Sequence, residues 1–463
     1  MASNTTGPDA IGQSSGASGL MKRLFINRDF GLLWGGQAIS NLGDVVFDTA
    51  LLLWVGAFLA AGKSWAPLAM SAILLAAVVP QVVAGPIAGV FVDRWDKRRT
   101  MMAMDAAQAA LVGLLAVAVD ISHLPLMGAR RLPDGLLLTL ACGDVLLVSI
   151  CAQFYRPARF ALVGDLVPDD DLRPRAISMS QALDGLAVIF GPPIAAALVF
   201  GLGVQWALVV NALSFAASFG FAVRIRAPRA ARSVAPGQHG DFAREFRAGF
   251  RYVARHRVLR TLLVAVVLAW LGFGALQVLG YFFVTENLGA SPALFGWLGS
   301  CFGVGAVGGA VLVTIYGKRI GLARILWMSL VVSGIFVAVL GHLTSIGPAL
   351  VAAVIFGVSA TTVIIASGPL ILDVTEREFV GRVTSVITPI GRLAALISIA
   401  IAGYLVSEVL AGVDISVLGV NFNAVTLVFT GMGLLAVAGG LYARANLDDA
   451  KPPDGVGAAD HGG

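Results

Sequence analysis

Gln37, Asn41, Asp44 and Asp48 follow one another at intervals of four, three and four residues, inside a stretch that is otherwise largely apolar from 31 to 60. On a helix that spacing places all four on one face. A carboxylate in the middle of a membrane-length helix costs roughly 2.5–3.5 kcal/mol on insertion scales, so it faces a cavity or a partner. An enclosed carboxyl group that takes and releases a proton is also what an ion-coupled machine needs. Asp44 and Asp48 are therefore proton-coupling candidates, with Gln37 and Asn41 as cavity lining. The alternative for Asp44 is structural: it satisfies a local break after Gly43. Asp144, midway along another apolar stretch, is the third proton-coupling candidate, and its alternative is a packing contact satisfied by a partner.

A second stripe consists of Trp270, Gly274, Gln277 and Tyr281 at the same helical spacing. Aromatic rings with one amide suit a large amphipathic ligand, although such a stripe also serves packing or interface anchoring. Thr362 and Ser359 could add hydroxyl contacts. Asp184 and Arg392 each stand alone in an apolar stretch. Arg392 could meet an anionic group of a substrate or a carboxylate such as Asp44. Between Gly85 and Arg99 the chain turns on spaced glycines and gathers Asp93, Arg94, Asp96, Lys97, Arg98 and Arg99. Charges that dense between two apolar stretches belong at a bilayer surface.

The elements that position these groups are membrane helices. The 463 residues are 13% charged and 58% hydrophobic, with a mean hydropathy of +0.86, whereas a soluble domain is about a quarter charged. Runs of about 20 apolar residues are needed to cross the hydrocarbon core. Twelve such spans are read at 31–60, 67–92, 100–120, 135–156, 176–200, 203–224, 259–285, 292–316, 322–342, 347–371, 383–407 and 420–442. With the N-terminus inside, 28 of the 32 lysines and arginines fall on the cytoplasmic side. Lys63, Arg130 and Arg131 fall outside and Arg392 falls within a span. That bias predicts cytoplasmic N- and C-termini. The net charge of +5 thus reports topology rather than nucleic-acid binding. Cys142, Cys151 and Cys301 lie in apolar runs and read as small buried residues.

The longest connection divides the chain. Residues 1–24 and 444–463 read as disordered cytoplasmic tails, 25–224 as one six-helix bundle and 259–443 as a second. The linker, 225–258, carries a basic amphipathic helix with Phe242, Phe246, Phe250 and Val253 set against Arg244, Arg247, Arg251 and Arg255. The halves resemble each other weakly. Asp165-Leu-Val-Pro with Arg175-Ala-Ile-Ser before span five recurs as Asp373-Val-Thr-Glu with Arg382-Val-Thr-Ser before span eleven. The expected fold is an all-α membrane protein, with twelve transmembrane helices in two pseudo-symmetric six-helix bundles, an architecture used for alternating access.

Gly89-Val-Phe-Val-Asp93-Arg94, followed by Lys97-Arg98-Arg99, resembles the loop between spans two and three of the major facilitator superfamily, with Asp96 departing from its usual glycine. Asn27-Arg-Asp-Phe30, Ser40-Asn-Leu-Gly-Asp44, Asp165-Leu-Val-Pro168 and Gly381-Arg382-Val-Thr-Ser385 resemble, within it, the branch of the enterobactin exporter and the macrolide efflux proteins. The resemblance implies that spans one and four line a central cavity. It also implies that Gly89, Asp93, Arg94 and Arg98 form a gating loop whose carboxylate engages the start of span eleven near Arg382. Gly191-Pro192 in span five resembles the helix-bend motif of drug exporters in this superfamily, and also reads as a simple packing bend.

No nucleotide-binding loop, metal-ligand spacing or large soluble segment points to an enzyme, a cofactor or an ATP-driven pump. The expected function is a secondary transporter that exports amphipathic small molecules of the drug, macrolide or siderophore type, as a proton antiporter powered by the proton gradient alone. It is expected to work as a monomer in a bacterial inner membrane, with lipid and a small-molecule substrate as partners and no nucleic acid. A proton-coupled uptake symporter and a non-transporting sensor are the alternatives.

Overall fold

The computed structural model describes residues 26–92, 94–121, 132–226, 242–376, 378–417 and 420–447. The N-terminal tail 1–24 and most of the C-terminal one lie outside these residues. Twelve described helices are long and apolar enough to cross a bilayer. In chain order the spans are Arg28–Leu59, Ala66–Val83, Lys97–Asp120, Asp134–Leu166, Arg173–Gly201 and Val204–Arg224, then Arg257–Asn287, Leu294–Gly317, Leu322–Leu340, Ile346–Val374, Val380–Val409 and Ala424–Leu447. Span two is continued by a short helix, Gly85–Val92.

Two boundaries differ from the expected ones in ways that matter. Span four does not stop at 156; it continues through Pro157 to Leu166 and carries Arg156 and Arg159 as helical residues. Polarity suggested a loop there, but Tyr155 and Arg159 find partners on spans six and one. Span twelve starts at Ala424 because the preceding residues form a hairpin, β1 Asp414–Val417 paired antiparallel with β2 Val420–Asn423. This two-stranded ribbon is the departure from an all-α fold among the described residues. The Asn423 carboxamide accepts from the Thr426 amide at 2.8 Å and so caps span twelve.

The packing repeats with a period of six spans. Span one packs on five and six, span three on four and six, and span two on four. Span seven packs on eleven and twelve, span nine on ten and twelve, and span eight on ten. Each contact in the first set has its counterpart in the second, as parallel repeats require. Small residues set the close approaches, since helices in lipid associate by packing rather than by exclusion of water. A Cβ on Gly43 would meet Ser214 of span six, and one on Gly433 would meet the Gly334 carbonyl of span nine.

The linker helix, Phe242–Arg255, lies across the start of span eleven. Val253 is buried with Phe246 packed nearby, and Tyr252 stacks on Phe379 with ring centroids 4.7 Å apart. Phe250 is exposed rather than sharing that buried face. Arg247, Arg251 and Arg255 are exposed.

The bundles meet through spans two and eleven and through spans five and eight. An even number of crossings puts Arg28 and Leu447 on one face, here termed the terminal face. Among the described residues, every hydrogen bond between the bundles lies in the half remote from it. Ser71 Oγ donates to the Ile399 carbonyl at 3.0 Å, the Leu68 amide donates to Ser407 Oγ at 3.3 Å, and Ser300 Oγ donates to the Ile189 carbonyl. The Gly191-Pro192 bend belongs to this junction. Gly191 abuts Val45 of span one, and the Pro192 carbonyl lies 2.6 Å from where a Cβ on Gly296 would sit. The hydrogen bonds that close the junction thus lie on the remote side, and among the described residues none closes it toward the terminal face. Gly296→Val is expected to destabilise the closed junction by about 1–3 kcal/mol. Gly431→Ala, where no neighbour lies within 4 Å, should cost nothing. Unfolding of both variants in detergent checks the contrast.

Candidate functional site

The open side of the N-terminal bundle carries a cluster of charges on spans one, four and five. Asn41 Nδ2 donates to Asp184 Oδ1, and Arg159 Nη1 donates to Asn41 Oδ1 at 3.5 Å. Gln37 is 1% exposed and its Nε2 donates to the Ser180 carbonyl at 3.0 Å, which fixes span five against span one. Asp44 lies in the field of Asp48 as well as of Arg156 and Arg159. Arg156 also acts on Asp48, and both arginines act on Asp184. Three carboxyl groups thus share two guanidiniums. Asp184 belongs to this cluster and not with Arg392.

The two arginines escape a reading of the sequence because polarity ends span four too early. Asp105, the one acid of span three before Asp120, escapes it as well. Asp105 is fully buried; its Oδ2 accepts from Ser218 Oγ at 2.8 Å, and the same hydroxyl lies 3.3 Å from the Tyr155 hydroxyl. Asp44 acts on Asp105 electrostatically, so a polar thread runs from the cluster into the bundle. A lone acid in an apolar run is the available signal. Asp144 is placed apart: it is 7% exposed and shares its helix face with Ala141, Val145 and Val148 in the packed core. None of the charges in the cluster acts on it.

The facing wall belongs to spans seven, ten and eleven. There a cavity of about 530 Å³ is lined by Trp270, Ile364, Ser367, Thr384, Thr388 and Arg392 among others. The Arg392 guanidinium lies over the Trp270 ring, 5.0 Å from its centroid. The remaining residues of the aromatic stripe separate. Gly274 packs on Ala395 and Ser398 of span eleven, and Gln277 lines a second, apolar cavity of about 160 Å³ with Phe273, Phe302 and Phe356. Tyr281 is 5% exposed in the junction between bundles, against the site of Gly56. Thr362 and Ser359 do not reach the cavity. Thr362 Oγ1 donates to the Val358 carbonyl at 2.7 Å in the contact with span eight, and Ser359 Oγ donates within its own helix at 3.0 Å. Helical hydroxyls so often bond their own backbone that sequence spacing cannot tell the two uses apart.

Asp93 lies outside the described residues, and the rest of the loop is bound to its own bundle. A Cβ on Gly89 would meet nothing within 4 Å, and Arg94 is exposed. Lys97 Nζ pairs with Asp165 at 2.8 Å, while Arg98 Nε donates to the Ala222 carbonyl at 2.8 Å and so caps span six. Trp95 stacks on Phe154. Arg382 sits over Phe379 at 5.1 Å, and its carbonyl faces Gly249 of the linker helix. Among the described residues, no hydrogen bond or ion pair joins the loop to span eleven.

The shared charges should be energetically coupled. Arg159→Gln is expected to lower stability, and adding Asp184→Asn to it should recover part of the loss, with a coupling of about 1 kcal/mol. Unfolding of the two single variants and the double variant in detergent measures it; strict additivity would mean that the two groups do not interact.

Residues 24–375 match the family described as transmembrane secretion effector, of the major facilitator type. The chain is 23% identical to the MFS-type transporter YkuC of Bacillus subtilis, over 84% of this chain and 88% of that one. It is also 23% identical to macrolide efflux protein A of Streptococcus pyogenes, over 79% and 86%. Among solved structures it resembles the nucleoside transporter NupG with a TM-score of 0.70 at 10% identity, covering 91% of this chain and 100% of that one. It resembles a bacterial homologue of the iron transporter ferroportin in its inward-facing state with a TM-score of 0.64 at 16% identity, over 91% and 98%. With most of its length matched to the family and the whole twelve-span fold shared, this chain belongs to the transmembrane secretion effector family of major facilitator transporters.

Proposed function

We propose that the chain exports amphipathic small molecules by alternating access, in exchange for protons, as a monomer in a bacterial cytoplasmic membrane with both termini cytoplasmic. The observation that carries this reading is the juxtaposition of two unlike walls on one opening. A cluster of ionisable groups, Asp44, Asp48 and Asp184 with Arg156 and Arg159, faces a largely apolar cavity with an aromatic ring. Three carboxyl groups set against two guanidiniums reach neutrality with one proton bound. Sealing the cleft removes water from these charges, and an unbalanced charge is costly there. Proton occupancy therefore biases which face is open, and Asp44, which faces both arginines and Asp48, is the natural exchange site.

The crowding of basic residues toward the terminal face supports its assignment to the cytoplasm. On that assignment the structure is open to the cytoplasm, ready to load for export. The likeness to macrolide efflux protein A supports the outward direction. Closure of the cytoplasmic side would bring the Gly89–Arg99 loop to the start of span eleven, where the Asp93 carboxylate meets Arg382 and the helix N-terminus. No bound cofactor enters this scheme; the proton gradient supplies the energy.

Asp44→Asn, reconstituted in proteoliposomes, is expected to lose transport of fluorescent amphiphiles driven by an imposed pH gradient while inserting at normal levels. Transport unchanged at every gradient would remove proton coupling at this site. Thr388→Cys, in a protein whose three cysteines are replaced by serine, should react with an impermeant maleimide from the cytoplasmic side only. Labelling confined to the other side would reverse the orientation.

A further inference from the structure

Arg392 sits midway along span eleven and differs from Arg98 and Arg159 in what it touches. Arg98 is held by backbone carbonyls and Arg159 by Asn41. Among the described residues, no hydrogen bond or ion pair reaches the Arg392 guanidinium, whose contact is the ring of Trp270. Five N–H donors without a protein acceptor depend on water or a ligand in the cleft, and lose the water when the cleft closes. The placement is nevertheless built. A Cβ on Gly391 would lie 2.9 Å from Trp270 Cδ1, so the glycine makes room for the indole, and the next residue lays its guanidinium over the ring. Stacking of this kind uses the flat face of the guanidinium and leaves its in-plane fork of donors free.

What lies around that fork fits an anion with an apolar body. Thr388, one helical turn before Arg392, is exposed to the cleft and makes no hydrogen bond among the described residues, while Thr384 spends its hydroxyl on the Val380 carbonyl at 2.9 Å. Arg392 is the one charged side chain among those lining this cavity of about 530 Å³. A further cation approaches from the other bundle: Arg156 acts on Arg392 across the opening. Two like charges facing each other repel more strongly as the cleft loses water. A carboxylate bound at Arg392 offsets that repulsion.

We propose that Arg392, Thr388 and Trp270 form a subsite for the carboxylate head of an amphipathic anion. The apolar body of the ligand lies along Ile364 and Ile387 in the rest of the cavity. The subsite rests on the export reading and narrows its cargo, from amphiphiles in general to acidic ones. Moving an anion out of a cell whose interior is electrically negative is downhill in the electrical term, which agrees with the proposed direction.

Equilibrium dialysis of the full-length protein in detergent, with pyrenebutyrate, its methyl ester and pyrenebutylamine as probes, tests the subsite. The carboxylate is expected to bind about tenfold or more tightly than the ester, with the amine weakest. Arg392→Gln should erase the advantage of the carboxylate and leave ester binding unchanged, which also reports an intact cavity. Arg392→Lys should retain part of it, having the charge without the fork. Should Arg392→Gln fail to fold, Thr388→Val decides: a severalfold loss confined to the carboxylate supports the subsite. Equal binding of the three probes, preference for the amine, no binding of any probe, or a carboxylate advantage that survives Arg392→Gln or Thr388→Val undiminished would each overturn it. The two readings fail separately. Proton-driven transport that prefers the amine removes the anion subsite and keeps the export reading, whereas tight carboxylate binding without proton-driven transport does the reverse.

Discussion

Charge inside hydrocarbon has to be balanced close at hand, and the N-terminal bundle is arranged around that demand. Asp44 and Asp48 on span one, Asp184 on span five, and Arg156 and Arg159 on span four are each costly alone. Together they share one wall, tied by the Arg159–Asn41–Asp184 contacts. The same demand explains why span four stays helical through Pro157 to Leu166. Its arginines have carboxylates to face, so the helix does not have to end to bring them to water. The Asp105–Ser218–Tyr155 thread extends the polar interior one layer deeper.

Against this ionic wall stands a bundle of different character. Its side of the cleft is aromatic and aliphatic, with Arg392 as its charge. The two six-span units share one packing pattern and differ in the chemistry they present. The junction between them is made of small residues and serine hydroxyls, Gly296 against Pro192 and Ser71 against Ile399. Contacts of this kind depend on close approach rather than on deep interdigitation. The linker helix lies at the start of span eleven, which joins the junction at its far end and carries Arg392 midway.

Much of this is legible without any coordinates. Spans announce themselves because lipid tolerates only long apolar helices, and most of the twelve ranges read from the sequence keep their course in the structure with small shifts at the ends. The stripe Gln37, Asn41, Asp44 and Asp48 is legible because its spacing is local to one helix. The stripe Trp270, Gly274, Gln277 and Tyr281 is equally regular, yet its members face a cleft, a neighbouring helix, a second, apolar cavity and the junction. A helix face sweeps past several neighbours along its length, so a shared face does not mean a shared site.

The sequence by itself determined the class of machine: apolar run length, basic bias and the glycine-spaced charged loop follow from the bilayer and act over a few residues. Only the tertiary structure decided who partners whom. It assigned Asp184 to Asn41 and the span-four arginines, left Arg392 over Trp270, and put Thr362 and Asp144 into packed faces. Those pairings join residues more than a hundred positions apart, on helices whose rotation about their own axes is set by packing, and no local spacing encodes that rotation.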